Sequence, residues 1–281
     1  MDGIVLHPKD CIKYLGVHAD NRLMFRLHIE QTVEKCQQRI PLLIHSLLMY
    51  CSSIYYHWLQ LKTYPQKIDQ LQRRTNIIIC RGYRDISGGS AGLIAAEAPL
   101  ALRLVERSVA WLLRKGRPVP HWGHLDPIED SDDGLFHRNQ AVSLREAKRL
   151  LKTNTMEKWE EEWAEYQYSG WTLSLFPTIK SRIETGLVPD FWTTQAITGH
   201  GVFKAYLKDR GRVDDNACPC GFGAESAEHV LRECLRFTDG RPLDWSQITP
   251  GHIQYMRRVV VELWKRENPC FTLRRYHTNP A

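Results

Sequence analysis

Three cysteines and one histidine fall within the seventeen residues CPCGFGAESAEHVLREC, from 218 to 234. Cys218, Cys220, His229 and Cys234 form the pattern C-x-C-x8-H-x4-C. Three thiolates and an imidazole are the donors a tetrahedral zinc ion takes, and Gly221 permits the tight turn on which two thiolates converge. The C-x-C pair is tighter than the commoner spacing of roughly two to four intervening residues. Four protein ligands leave no open coordination position, so the pattern predicts a structural Zn2+. Acids flank it in DDNACP and GAESAEH, which argues against the motif gripping phosphates by itself.

No other constellation is as specific. There is no phosphate-cradling glycine loop, no G-x-S-x-G, and no strand set carrying the carboxylates of a two-metal nuclease. Pro189-Asp190 lacks the acid-x-Lys strand that would make it the opening of a nuclease motif. His200, between two glycines, has no evident nucleophile and reads as a capping or packing residue. Trp159, Trp163, Trp171 and Trp192 read as core more readily than as a base-stacking platform.

The elements that must position the motif are mostly helical. IKYLGV reads as a short strand, and Ile29, Val33, Cys36 and Ile40 mark one helix face. A further helix opens at Pro65, with Ile68, Leu71, Thr75 and Ile78 on its apolar face, and ends near Gly82. DISGGSAG is a loop whose serines can cap the next element. LALRLVERSVAWLLRKG is an amphipathic helix burying Leu100, Leu104, Ala110 and Trp111 or their neighbours. Residues 116–137, rich in Pro, Gly and acids, read as a linker, and a charged helix, a Pro/Gly-punctuated region and a closing helix from Gly251 follow.

Composition is that of an ordinary globular protein, 43% hydrophobic and 25% charged. Cys11, Cys36, Cys51, Cys80 and Cys270 have no disulfide-framework spacing, and MDGIVLHPKDC is not a signal peptide, so an intracellular setting is expected. The uncharged run from Ile40 to Leu61 is long enough to span a bilayer. It carries Pro41, His45, His57, Gln60 and serines, and reads as buried helical core. Charge is uneven. Residues 1–125 hold 17 Lys and Arg against 9 Asp and Glu, whereas the remainder holds 21 against 23. A basic half suggests a polyanion, and Lys62, Lys67, Arg73, Arg74, Arg81 and Arg84 are the candidate nucleic-acid contacts.

Several stretches together resemble the C-terminal third of the reverse transcriptases of non-LTR (LINE-like) retrotransposons, of the arthropod type found in the Jockey group and in elements that insert into ribosomal DNA. IKYLGVHADNRLMFRLHI is similar to the family's primer-grip strand and following helix. LQRRTNIIICRGYRDISGGSAGLIAAEAPLAL resembles its thumb. GWTLSLFP and TTQAITGHGVFKAYL resemble the stretch before its C-terminal CCHC motif, with Gln195, Gly199, His200, Gly201, Phe203, Tyr206 and Leu207 in place. The cysteine cluster matches the CCHC motif itself. The departures are informative. Asp132-Asp133 and Asp214-Asp215 lie downstream of the KYLG strand and lack the aromatic two residues earlier, so neither is the polymerase's metal-binding pair. The stretch from Ile29 to Tyr50 is shorter than the family's thumb, and Tyr55 stands where the family has Trp.

The resemblance implies a mainly α protein: a helical thumb-like segment plus a small zinc-stapled C-terminal helical domain. Residues 1–20 would be the remnant of the palm strand, 21–115 the thumb-like region, 116–137 the linker and 138–281 the C-terminal region. The expected function is that of a truncated reverse transcriptase, non-catalytic alone, binding RNA or an RNA–DNA duplex, with no membrane and no small-molecule substrate, in the nucleus rather than the cytoplasm. The competing expectation is a zinc-stapled structural protein, or inert relic, without specific nucleic-acid affinity.

Overall fold

The computed structural model describes residues 63–119, 143–166 and 170–267, with Met49, Ser52 and the backbone of residues 11–14 and 17–20. The chain divides into two compact units, Met1–Leu47 and Leu48–Ala281. In the first, strand β1 (Cys11–Tyr14) pairs antiparallel with β2 (Val17–Asp20), Cys11 opposite Asp20 and Tyr14 opposite Val17. The predicted strand IKYLGV is therefore divided between the two strands of a hairpin, Ile12 to Tyr14 lying in β1 and Val17 opening β2. The helix expected on Ile29 to Ile40 and nearly all of the apolar run 40–61 lie outside the described residues.

The second unit is helical: α1 (Thr63–Cys80), α2 (Gly88–Ala95), α3 (Leu100–Arg114), α4 (Leu144–Ala164), α5 (Gly170–Leu175), α6 (Ile179–Glu184), α7 (Phe191–Thr198), α8 (Lys204–Asp209) and α9 (Pro250–Glu267). A π-helical turn, His229–Glu233, and a 3-10 turn, Leu235–Phe237, lie between α8 and α9. Among the described residues no helix is long and apolar enough to cross a membrane. One core joins Leu93, Leu104, Leu151, Phe176, Ile197, Val230 and Met256, so helices on both sides of residues 116–137 share it.

Local chemistry sets the helix ends. Ser87, Ser143 and Thr178 each accept a backbone N–H in the first turn of α2, α4 and α6. Asp190 does the same for α7, taking the N–H groups of Trp192 and Thr193 at 2.8 Å each. Its other oxygen meets Arg257 at 2.9 Å, tying α9 to the start of α7. Pro189-Asp190 is thus a helix cap. Trp159, Trp163 and Trp192 are buried.

One predicted face holds and one is corrected. On α3 the buried residues include Leu100, Leu104 and the neighbours Val109 and Leu112, with Ala110 and Trp111 half-buried beside them. On α1, Leu71 and Ile78 are exposed (38% each), and Gln72, Thr75 and Asn76 are buried. The reason is hydrogen bonding. Gln72 Nε2 donates to the Ala98 carbonyl at 2.8 Å, and its Oε1 accepts the Leu100 N–H at 2.6 Å. That amide satisfies the backbone entering α3, and it outweighs the aliphatic alternative.

Candidate metal centre and basic helix face

The metal-ligating residues sit on two pieces of backbone held by different devices. Cys218 and Cys220 lie on a tight loop closed by the Ala217–Ala224 bridge, with the Cys218 N–H donating to Gly223 O at 2.9 Å. Gly221 and Gly223 have φ of +85° and +75°, values that non-glycine residues rarely adopt. The loop therefore needs CGFG. The Phe222 N–H points back to Cys220 Sγ at 3.4 Å.

His229 and Cys234 come from the π turn. Five positions along an α-helix advance about 140° beyond a full turn, so H-x4-C on a regular helix faces its two ligands apart. Here the Cys234 N–H donates to His229 O at 2.7 Å, an i→i+5 bond that widens the turn and brings both to one side. The Ser226 hydroxyl caps the His229 N–H at 3.2 Å. The Glu233 carboxylate stands 3.4 Å from His229 Nδ1, which orients Nε2 toward the cysteines.

All four ligand atoms lie within 4.8 Å of one another. Cys218 Sγ is 3.6 Å from Cys234 Sγ, and Cys220 Sγ is 3.2 Å from His229 Nε2. These residues can hold a metal ion. Burial pushes the Cys234 thiol up to about 11, and a thiolate at that depth needs a cation as partner. Cys220 is different: desolvation opposes ionisation, but the Phe222 N–H and the facing ligands bring it down to about 7.

The surroundings lock this unit to the core. Glu225, wholly buried one residue past the bridge, meets Arg266 of α9 at 2.9 Å and Arg236 of the 3-10 turn at 3.4 Å. Its backbone N–H donates to Asn216 O at 2.7 Å. The Tyr255 hydroxyl is 2.7 Å from Phe237 O and 3.2 Å from Leu231 O. From the π turn, the Arg232 guanidinium lies over the rings of Trp171 (4.9 Å) and Trp245 (5.5 Å). Glu225 is not marked by spacing in the sequence, since Arg236 and Arg266 lie 11 and 41 positions away, whereas Glu233 follows His229 and Arg232 follows Glu228 at helical i,i+4 spacing.

A second cluster joins the GYRDIS turn to the TGHG stretch. Asp85 accepts the Tyr206 hydroxyl at 2.9 Å and pairs with Arg210, and its other oxygen is 4.0 Å from His200 Nε2. His200 packs on Tyr206 with ring centroids 4.7 Å apart. Tyr206 is pushed up to about 12, first by burial and then by its bond to Asp85. Gln195, 1% exposed, accepts the Val202 N–H through Oε1 at 3.0 Å, and a Cβ on Gly201 would come within 1.9 Å of that oxygen. These residues lock two loops together; none has a nucleophile beside it.

The basic candidates separate. Lys62 lies outside the described residues. Lys67 and Arg74 are exposed seven positions apart on α1, Arg81 is exposed directly after its last residue with a φ of +53°, and Arg84 is exposed in the loop beyond. Arg73, half-buried, donates to the carbonyls of Ile86 (2.7 and 3.1 Å) and Arg84 (2.6 Å).

Among the curated proteins that align over most of the chain are three Pol polyproteins of R1 elements. Two are retrovirus-related Pol polyproteins of the type-1 retrotransposable elements R1 2 and R1 4 of Nasonia vitripennis. They are 23% and 26% identical over 85% and 82% of this chain, each alignment covering 62% of the relative. The third, from the R1 element of Bradysia coprophila, is 23% identical over 87% of this chain and 26% of its own length. The chain is a relative of the R1 retrotransposon Pol polyproteins. It spans about three-fifths of the two Nasonia proteins and about a quarter of the Bradysia one. No protein-family model and no solved structure matches it. The R1 relationship accords with the motif order, in which KYLG, the GYRDIS turn, TGHG and the Cys/His cluster follow one another.

Proposed function

We propose that this R1-related chain binds RNA or an RNA–DNA duplex through the exposed face of α1 and the loop after it, with Zn2+ at the Cys/His cluster as a structural staple. The observation that carries the reading is the exposure of Lys67 and Arg74, seven residues apart on one face of α1, with Arg81 and Arg84 exposed just beyond its end. At about 1.5 Å per residue Lys67 and Arg74 stand about 10 Å apart along α1, and Arg81 follows the last residue of the helix, so the basic stretch can follow a run of backbone phosphates. Contacts of this kind position a duplex without reading its sequence. Arg84 extends the line, and Arg73 shapes the loop that presents it. Zinc is supported by the ligand set and by the sulfur separation: Zn–S bonds of about 2.3 Å in a tetrahedron place sulfurs about 3.8 Å apart, against 3.6 Å for Cys218 and Cys234. The ion would be held by Cys218, Cys220, His229 and Cys234 and would neutralise their thiolates.

In this reading the chain contributes binding to RNA-directed DNA synthesis and performs no polymerisation alone, because the sequence carries no aromatic-x-Asp-Asp pair. Its place of action is the nucleus. A second reading, a zinc-stapled structural protein, is favoured by the acids around the metal centre. Replacing Lys67, Arg74, Arg81 and Arg84 singly by alanine separates the two. Each loss lowers the slope of log K against log salt by about 0.7–0.9 if that residue neutralises a phosphate. Unchanged slopes in all four variants select the structural reading.

A further inference from the structure

Charge on α4 is divided end to end. Residues 144–152 carry Arg145, Lys148, Arg149 and Lys152 against Glu146, whereas residues 153–165 carry five glutamates against Lys158. The helix dipole favours the opposite order, so nothing intrinsic to the helix places these bases where they are. α3 runs antiparallel alongside: the Thr155 hydroxyl meets the Glu106 carboxylate at 3.1 Å, and Trp159 and Trp163 line one cavity with Ala101 and Pro99. Counted from the Thr155–Glu106 contact at about 1.5 Å per residue, Lys148 and Arg114 both lie about 10–12 Å further along, at one level. Arg114 ends α3, with Lys115 and Arg117 just beyond it, so two helix ends bring their bases to one corner. Residues 114–119 and 143–152 together hold seven Lys and Arg, all exposed, against one acid. Arg149 is paired with that acid, Glu146, at 2.5 Å, and Arg117 lies over the Trp111 ring at 5.4 Å. Arg114, Lys115, Arg145, Lys148 and Lys152 meet no carboxylate among the described residues.

We propose that this corner is a second nucleic-acid surface, which grips the phosphate backbone of one duplex while α1 holds another. Only the holding of two duplexes at once rests on the reading of α1; the corner's own affinity does not. α1 packs against the other half of α4, where Asp69, Gln72 and Asn76 line a cavity with Trp159, Glu162 and Trp163. The two basic surfaces are therefore set apart by the acidic half of α4 and do not form one track. The chemistry favours phosphates over a protein partner. Leu144, 36% exposed, is the corner's exposed large apolar side chain among the described residues. Protein–protein interfaces centre on aromatic and aliphatic anchors, whereas nucleic-acid interfaces are polar and strongly cationic. Contacts to phosphate fix position without reading sequence, so a duplex of any sequence serves as the probe.

The test counts short DNA duplexes bound per full, metal-loaded chain by native mass spectrometry. The corner variant changes Arg114, Lys115, Arg145, Lys148 and Lys152 to Gln, and the α1 variant changes Lys67, Arg74, Arg81 and Arg84 to Ala. The wild-type chain loads two duplexes and each variant loads one. In the α1 variant the remaining duplex, held by five phosphate contacts, binds roughly a hundredfold more weakly at about 200 mM salt than at about 50 mM. All five corner residues are exposed, so their replacement leaves urea unfolding unchanged. A corner variant that loads one duplex while the α1 variant loads two supports the corner and refutes the α1 reading alone. A corner variant that loads as many duplexes as the wild-type chain overturns the proposal, whatever α1 does. So does polyglutamate binding to the α1 variant as tightly as the duplex, which assigns the corner to an acidic protein. Residues 120–142 join the two helix ends and carry Asp126, Glu129, Asp130, Asp132 and Asp133. Duplex binding at the corner only after those five are changed to amides assigns it to the chain's own linker and also overturns the proposal.

Discussion

Glu225→Gln removes one negative charge from a site with no exposure to water, facing two arginines. In the native protein the carboxylate meets Arg266 at 2.9 and 3.2 Å and Arg236 at 3.4 Å. Breaking one partner out of a buried charge cluster costs about 3–5 kcal/mol, because the remaining charges keep their desolvation without their attraction. Arg236 and Arg266 are 29% and 30% exposed and can recover part of their hydration, which places the loss at the lower end, about 3 kcal/mol. At roughly 2–4 °C per kcal/mol for a unit of this size, the melting temperature falls by about 6–12 °C. The assay is thermal and urea unfolding by circular dichroism in metal-saturated buffer, with Glu225→Gln/Arg266→Gln as the double variant. The arginine change on its own is harmful, but in the double variant the two losses do not add, since each leaves the same pair broken. A loss below about 1 kcal/mol for Glu225→Gln, or simple additivity, would refute the claim that this carboxylate ties α9 to the metal-binding loop.

Three further outcomes follow from the same geometry. Gly201→Ala, which drives a Cβ to 1.9 Å from Gln195 Oε1 at a φ of +86°, costs about 3 kcal/mol or more in urea unfolding. A cost within about 0.5 kcal/mol would show that the TGHG loop is not as tightly held as described. Strong chelation removes one metal per chain by elemental analysis and lowers stability by several kcal/mol, with amide exchange rising first at residues 217–237. Unchanged exchange there would mean the ligands fold without their ion. For Glu162, the folded carboxyl titrates near 7 against an ordinary 4.5, so the folded chain binds the extra proton between these values. Stability contributed by this group is therefore lost as pH rises through that window. Because Glu162 is exposed, screening limits the effect to about 0.5–1 kcal/mol. Glu162→Gln gains that much at pH 8 and nothing at pH 4, and a gain at pH 4 would reverse the sign of the reasoning.

The metal ligands were legible in the sequence because their chemistry is carried by rare residue types at short range. Cys218, Cys220, His229 and Cys234 converge as their spacing suggests, although the π turn needed to aim His229 and Cys234 together was not foreseen. The i,i+5 separation is the signal that could have shown it. The buried face of α1 was illegible for the opposite reason. Gln72 and Asn76 are amides outside the predicted apolar face, and only the carbonyl of Ala98 and the N–H of Leu100, 26 and 28 positions away, make burial of Gln72 favourable. Leu71 and Ile78, apolar by type, stay exposed. Asp85 gave no local signal either, since Tyr206 and Arg210 reach it from more than a hundred residues downstream. Sequence patterning identified the helices well where an element buried aliphatic side chains, as α3 does, and poorly where it buried amides.

The central claim is that an α1 face bearing Lys67 and Arg74, followed by Arg81 and Arg84 beyond its end, engages a nucleic-acid backbone. The most direct measurement is the affinity of the zinc-loaded wild-type chain for a labelled RNA–DNA hybrid at ionic strengths from about 50 to 300 mM. Four phosphate contacts predict a slope of log K against log salt of about −3 to −4. A flat dependence, or no binding by the folded protein at the lowest salt, contradicts the account and leaves a metal-stapled helical unit without a polyanion partner.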